Sequence, residues 1–347
     1  MTASSPSATS STPHPSITAR HTIREWLEHP AGGPVLRGLF EQAGTDSSML
    51  GPALGLPLQQ LVTMSQGQLS QEAVDAVVLQ ANGGVMPETG EDDAAAAAGG
   101  PGRFAGQTVI VTGAAGGIGR ATAERILSES GRVIAVDLSA ERLDALRQAA
   151  GTDRLVTVTA DLTEPQSVQA VMDAAGERID ALANVAGIND DFSAIHEVTD
   201  EMWAKVFAVN VDGLVRLTRA VTARMLDAGQ GSIVNVSSEA GLRGSASGVA
   251  YTASKHAVLG ITRSMAFMYA KEGLRTNAVI PGGVATGIPM QPKIAEFGNT
   301  RLTEARGNIP GLGTAEQLAA AITFLLSEDA ANINGAELAS DGGWSAV

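Results

Sequence analysis

The sequence predicts an α/β protein in which a doubly wound parallel sheet is preceded by a small α-helical module. Three observations lead there. From Phe104 onward, short β-branched runs such as 107–111 and 132–136 alternate with helical patterns. The first run feeds a glycine-rich turn, Thr112-Gly-Ala-Ala-Gly-Gly-Ile-Gly119, and a helical stretch, ATAERILSES, follows it. Ahead of the run at 107–111, apolar residues recur at helical rather than alternating spacing.

From the N-terminus, residues 1–18 are rich in Ser, Thr, Ala and Pro. They carry too little apolar surface to offset the entropy of ordering, so a disordered tail is expected. Residues 19–82 form the helical module. Ile23, Trp26 and Leu27 share one helical face, and Val35, Leu36, Leu39 and Phe40 share another, with Pro34 suited to a first turn. The segment 46–60, broken by Gly51, Pro52, Gly55 and Pro57, reads as connecting structure. A third helix is predicted over 71–80, with Ser70 as its N-cap and Val74, Val77 and Val78 facing inward. At roughly 60 residues such a module is marginal by itself. Residues 83–103, including GEDDAAAAAGGPG, read as a flexible linker, and residues 104–347 as the α/β domain.

Composition excludes several classes of function. The net charge of −14 disfavours nucleic acid and anionic membrane surfaces. With no Cys, disulfides, thiolate catalysis and Cys-based zinc sites are ruled out, and the five histidines are scattered rather than grouped as metal ligands. His256, next to Lys255, is expected to face elsewhere. The N-terminus has no apolar core of a secretory signal and no window approaches a membrane span, so a cytoplasmic protein is the expectation.

A strand, a glycine turn and a helix in succession make a Rossmann-type dinucleotide fingerprint. Gly113 permits the tight turn, Gly117 lets backbone approach a pyrophosphate, and Gly119 lets the helix pack on the strand. The helix N-terminus supplies N–H groups and a positive dipole end. The second strand ends at Asp137, 24 residues after Gly113, the spacing expected of an acid that binds ribose hydroxyls. A carboxylate there repels a 2′-phosphate, and neither the glycine turn nor the residues directly after Asp137 offer a cation to receive one. NAD is therefore expected over NADP.

Tyr251-Thr-Ala-Ser-Lys255 places a phenol and an ammonium four residues apart, on one face of a helix. A neighbouring cation is expected to lower the Tyr251 pKa from about 10 and make it a general acid/base. Ser238 stands thirteen residues upstream, at the C-terminal end of a strand, SIVNV, where open α/β sheets bind ligands. It can hydrogen-bond the reacting oxygen. Ser237 points to the opposite side and is expected to be structural.

In order, TGAAGGIG at 112–119, Asp161-Leu162, ANVAG at 183–187, Asn210, Ser238, Tyr251, Lys255 and PGGVATG at 281–287 resemble the short-chain dehydrogenase/reductase (SDR) family across residues 104–347. The resemblance implies a catalytic tetrad of Asn210, Ser238, Tyr251 and Lys255. It places Asp161, with Leu162, by the adenine, and Ile118 of the glycine turn and Asn184 against the cofactor. It implies that Lys255 also binds the nicotinamide ribose and that Asn210 holds a proton-relaying water through its backbone. Val284 and Thr286 would anchor the carboxamide after the Pro281-Gly282 turn. The family's usual NNAG is here Asn184-Val-Ala-Gly187, so a local hydrogen bond must be made differently.

The implied activity is NAD-dependent interconversion of a secondary alcohol and a ketone, with no metal. A hydroxysteroid or a sugar derivative is among the substrates that would suit it. Substrate choice is expected from 188–195 and from 288–310, where Met290, Ile294 and Phe297 suit a mobile apolar lid. An NADPH-dependent 3-oxoacyl reductase is the alternative within the fold, disfavoured by Asp137. A non-catalytic NAD-binding sensor or scaffold is the alternative outside enzymes, disfavoured by the tetrad. The resemblance implies a homotetramer or homodimer.

Overall fold

The computed structural model describes residues 16–42, 53–65, 69–87, 102–286 and 291–346. Most of the expected tail and linker, and Met290, lie outside them. The chain divides into two compact units, Met1–Asp93 and Ala94–Val347.

In the first unit, α1 (Ile23–Glu28) opens with a reciprocal cap. The Thr22 N–H donates to Glu25 Oε2 at 2.7 Å, and the Glu25 N–H donates to Thr22 Oγ1 at 3.2 Å. Ile23 and Trp26 are buried, and the Trp26 indole donates to Thr18 O at 2.9 Å. α2 (Gly32–Gln42) buries Leu36 and Phe40. The connecting segment is not wholly irregular, because a short helix, α3 (Gln60–Met64), begins at its end. α4 (Gln71–Ala81) has Ser70 as N-cap and buries Val74, Val77 and Val78. The ordered module starts earlier than residue 19. Ile17 is buried, and its backbone is held by Asn82, whose Oδ1 accepts from Ile17 N at 3.0 Å while Nδ2 donates to Ile17 O at 2.7 Å.

In the second unit the elements alternate. They run β1 (Thr108–Thr112), α5 (Gly117–Ser128), β2 (Arg132–Asp137), α6 (Ala140–Ala150), β3 (Leu155–Thr159), α7 (Ser167–Ala175) and β4 (Ala181–Asn184). Then come α8 (Asp200–Phe207), α9 (Leu214–Ala228), β5 (Gly231–Val236), α10 (Val249–Tyr269), β6 (Leu274–Pro281), α11 (Glu296–Arg306), α12 (Ala315–Leu326) and β7 (Glu337–Ser340). The unit begins inside the segment read as linker: Arg103 ion-pairs with Glu129 at 2.6 Å.

The seven strands pair in parallel in the order β3-β2-β1-β4-β5-β6-β7. Alternate strand residues feed two cores. Val109, Val111, Val133 and Ala135 pack with Ile126, Leu143 and Ile322 on one face. Ile110, Ile134 and Val136 pack with Val171, Leu217 and Val221 on the other. Burial on both faces explains why the strands read as continuous apolar runs. Strand order reverses between β1 and β4, and a crevice opens at their C-terminal ends. Among the described residues, no helix is long and apolar enough to cross a membrane.

Candidate active site

The loops after β1 and β4 lie side by side at that crevice. Thr112 Oγ1 accepts from both Val185 N and Ala186 N at 3.0 Å. Gly113 has φ +66°, and a Cβ there would stand 3.0 Å from Ala186 Cα. A Cβ on Gly119 would stand 2.1 Å from Gly113 O, so only glycine lets α5 seat so closely on the turn. Gly117 faces Thr286 across a gap that a Cβ would narrow to 3.3 Å, and Ile118 lines the cleft itself. At the end of β2, Asp137 accepts from Ala115 N and Ser139 N, both at 3.0 Å. Its nearest cation is Arg142, 3.7 Å away on α6. Asp161 accepts from Thr163 N and Oγ1 at 2.9 and 2.7 Å, and Leu162 packs beside Gly213. A glycine cradle at a helix N-terminus, with a carboxylate on the neighbouring strand end, fits a dinucleotide.

Asn184 requires a correction. Its side chain is buried and turned from the cleft, where Nδ2 donates to Thr218 Oγ1 and Asn235 Oδ1, each at 2.9 Å. A last strand residue that points into a core leaves the next one to face the crevice, and Val185 lines it.

The cleft has a volume of about 340 Å³. Ser238, Tyr251, Lys255, Pro281, Gly282, Val284 and Thr286 all line it. Ser238 follows β5; Ser237, expected on the opposite side, also borders the cleft, with its hydroxyl donating to Lys255 O at 2.9 Å. Tyr251 and Lys255 sit on one face of α10, with the Lys255 Nζ 5.5 Å from the phenol ring centre. His256 is exposed and bonds Thr252 O.

Asn210 stands behind this group, in a π-helical turn, Ala208–Gly213, that joins α8 to α9. Its Oδ1 accepts from Ile188 N at 2.9 Å, and its Nδ2 donates to Ile188 O and Ser254 Oγ at 3.0 and 3.1 Å. A Cβ on Gly187 would meet both Asn210 Oδ1 and Lys255 Nζ, so the three residues adjoin. A π turn releases backbone groups from the regular ladder and recurs at functional sites.

Electrostatics at the pair differ from expectation. Burial pushes the Tyr251 hydroxyl up to about 12, and only a hydrogen bond with Ser238 draws it back. Burial pushes Lys255 down to about 8. The ammonium donates to Val236 O at 3.0 Å rather than reaching the phenol oxygen, so the expected lowering of Tyr251 is not found in the protein alone.

Several site residues carried no motif. Asp190 is fully buried and gathers the N–H groups of Phe192, Gly248 and Tyr251 and the Ser247 hydroxyl, at 2.9 to 3.3 Å. It thereby pins the loop after β4 to the start of α10. Glu197 does the same for α11, accepting from Ala194, Phe297 and Gly298 N–H groups. Phe297 itself is exposed and packs on His196, so it does not line the cleft; Arg306 and Ile309 do. Trp344 also lines it, in a C-terminal turn held by Asp341 and by Arg243, which donates to Ser345 O.

Residues 107–296 match the short chain dehydrogenase family. The chain is 39% identical to a 3beta-hydroxysteroid dehydrogenase 2 of Eggerthella lenta, over 70% of this chain and 96% of that one. It is 40% identical to a 2-(R)-hydroxypropyl-CoM dehydrogenase of Xanthobacter autotrophicus, over 70% and 99% of the two chains. A solved structure, of a proposed NAD(P)-dependent gluconate 5-dehydrogenase from Beutenbergia cavernae with NADP at low occupancy, superposes with a TM-score of 0.62 at 34% identity, covering 72% of this chain and all of that one. With this crevice, these glycines and this extent of similarity, the chain belongs to the short-chain dehydrogenase/reductase family and is an oxidoreductase acting on CH–OH groups.

Proposed function

We propose that the enzyme interconverts a secondary alcohol and a ketone with NAD as hydride carrier, through Ser238, Tyr251, Lys255 and Asn210. The observation that carries this reading is the convergence of Ser238, Tyr251 and Lys255 in one cleft beside the glycine turn, with Asn210 packed behind them. The cofactor, when bound, accepts or returns the carbinol hydride. In the oxidative direction Tyr251 Oη, as the phenolate, takes the hydroxyl proton while Ser238 Oγ holds the same oxygen. The phenol would return its proton by way of Lys255 in its neutral amine form and a water held by the Asn210 backbone, and from there to solvent. In reduction the neutral phenol donates to the forming alkoxide. Gly113, Gly117, Ile118 and Gly119 would hold the pyrophosphate, Asp161 and Leu162 the adenine, Lys255 the nicotinamide ribose, and Pro281, Gly282, Val284 and Thr286 the carboxamide.

Preference for NAD is supported by Asp137 at the end of β2, whose carboxylate would repel a 2′-phosphate. A homotetramer or homodimer belongs to the same reading, supported by Phe267 and Met268, which stand 88% and 66% exposed on α10. Calorimetry with NAD and NADP, followed by an absorbance screen of secondary alcohols, tests the proposal. The expected result is tighter binding of NAD and turnover that falls by about 10²–10⁴-fold in Tyr251→Phe. Tighter binding of NADP, or turnover that survives the substitution, overturns it.

A further inference from the structure

Arg306, the last residue of α11, extends into the cleft that holds Tyr251 and Ser238. Its guanidinium carbon lies 4.1 Å from the centre of the Phe192 ring. Nη1 donates to Asn299 Oδ1 at 2.8 Å. Nη2 is buried and finds no acceptor among the described residues. A buried guanidinium N–H without a partner is costly, so an acceptor from outside the protein, a ligand or a water oxygen, belongs against Nη2. Burial also lowers the Arg306 pKa, which reflects the same desolvation.

Three features make this a built arrangement. Phe192 is held at φ +62°, a left-handed conformation unfavourable for an aromatic residue. The Phe192 N–H donates to Asp190, which also accepts from Tyr251 N, so the platform under the guanidinium is tied to the turn of α10 that carries the phenol. No Asp or Glu is among the described residues lining the cleft, whereas Lys255 and Arg306 both are, in a chain with 37 acidic and 23 basic residues.

Resting on the oxidoreductase reading above, we infer that Arg306 recognises an anionic group of the substrate, and that the enzyme acts on alcohols or ketones bearing a carboxylate or an isosteric anion. The planar fork of the guanidinium suits a carboxylate, and Nη2 is the donor left for it.

The test uses the full-length protein saturated with NADH. Acetate, butyrate, octanoate, cyclohexanecarboxylate and benzoate are titrated calorimetrically against their primary amides. The expected result is a preference of about ten- to a hundredfold for at least one carboxylate over its amide, the range of a charge-assisted hydrogen bond. The preference should vanish in Arg306→Gln and persist in weakened form in Arg306→Lys, with NADH affinity unchanged in both and melting curves showing folded protein. Equal binding of every acid and amide, or a preference that survives in Arg306→Gln, overturns the inference. A fall in NADH affinity in Arg306→Gln also overturns it, by assigning the guanidinium to the cofactor phosphates. Failure of the wild-type protein to bind NADH is the separate result that removes the NAD-dependent reading on which the inference rests.

Discussion

Tyr251 and Lys255 are displaced in opposite directions, to about 12 and about 8, by the same burial. A neutral phenol is thus the resting form at neutral pH, poised to donate a proton to a ketone. Oxidation needs an acceptor, and acceptors form as pH rises, first at Lys255 and then at Tyr251. The oxidative kcat/KM is therefore expected to climb between pH 7 and pH 10 while the reductive value holds or falls, which pH–rate profiles in both directions check. Stability follows a related logic. A lysine held near 8 when folded, against 10.5 when unfolded, destabilises the fold below about pH 8. The unfolded chain binds the extra proton between those values, so stability rises with pH across that window. The Tm advantage expected of Lys255→Met is largest at pH 7 and shrinks toward pH 10. At Asp137, replacement by Ser removes the carboxylate proposed to face the ribose 2′ position and leaves Arg142, 3.7 Å away, free to meet a phosphate. NADP binding relative to NAD should rise about tenfold or more, measured by calorimetry.

Elements meet the site through close backbone approaches that tolerate no side chain. A Cβ on Gly119 would fall 2.1 Å from Gly113 O, and one on Gly298 would fall 2.0 Å from Phe192 O. Gly119→Ala must lift α5 from the turn, at a cost of about 1–3 kcal/mol or more, and should lower both Tm and affinity for NAD. Gly298→Ala must move α11 from the loop that carries Phe192 while leaving the glycine turn intact. It should raise KM for the substrate with NAD affinity unchanged, as steady-state kinetics and calorimetry can separate. Asp190 acts between elements as well. Four donors converge on its carboxylate. Asp190→Ala leaves them buried and unpaired, and the expected loss is at least about 2 kcal/mol together with displacement of Tyr251. Denaturant unfolding and kcat measure the two effects.

The second unit closes both of its cores with its own helices. Residues 94–347 are therefore expected to fold with one cooperative melt and to bind NAD when expressed by themselves; a fragment that does neither shows that the first unit completes the fold. The alternation of strand and helix, the glycine turn, Asp137, Ser238 and the pair on α10 were legible in the sequence, because each follows from local chemistry at fixed spacing. So was α4, where the Ser70 cap and the valines at helical spacing coincide. Chain order also located segments that border the cleft, 188–195 and, among the described residues, 291–310. It could not say which side chains those loops turn inward. Phe297 was favoured as an apolar residue and lies outside, while Arg306, a charged one, lies within. The direction of the Asn184 side chain, the π turn at Asn210 and the sign of the Tyr251 shift were decided only by tertiary structure. Each depends on groups far apart in the chain, namely Thr218 and Asn235 for the first, Ile188 and Ser254 for the second, and the burial of the cleft for the third. Sequence by itself determined the local devices and hence the family's chemistry. Only the packed fold decided their orientation and desolvation, because both are set by contacts between segments that no spacing along the chain encodes.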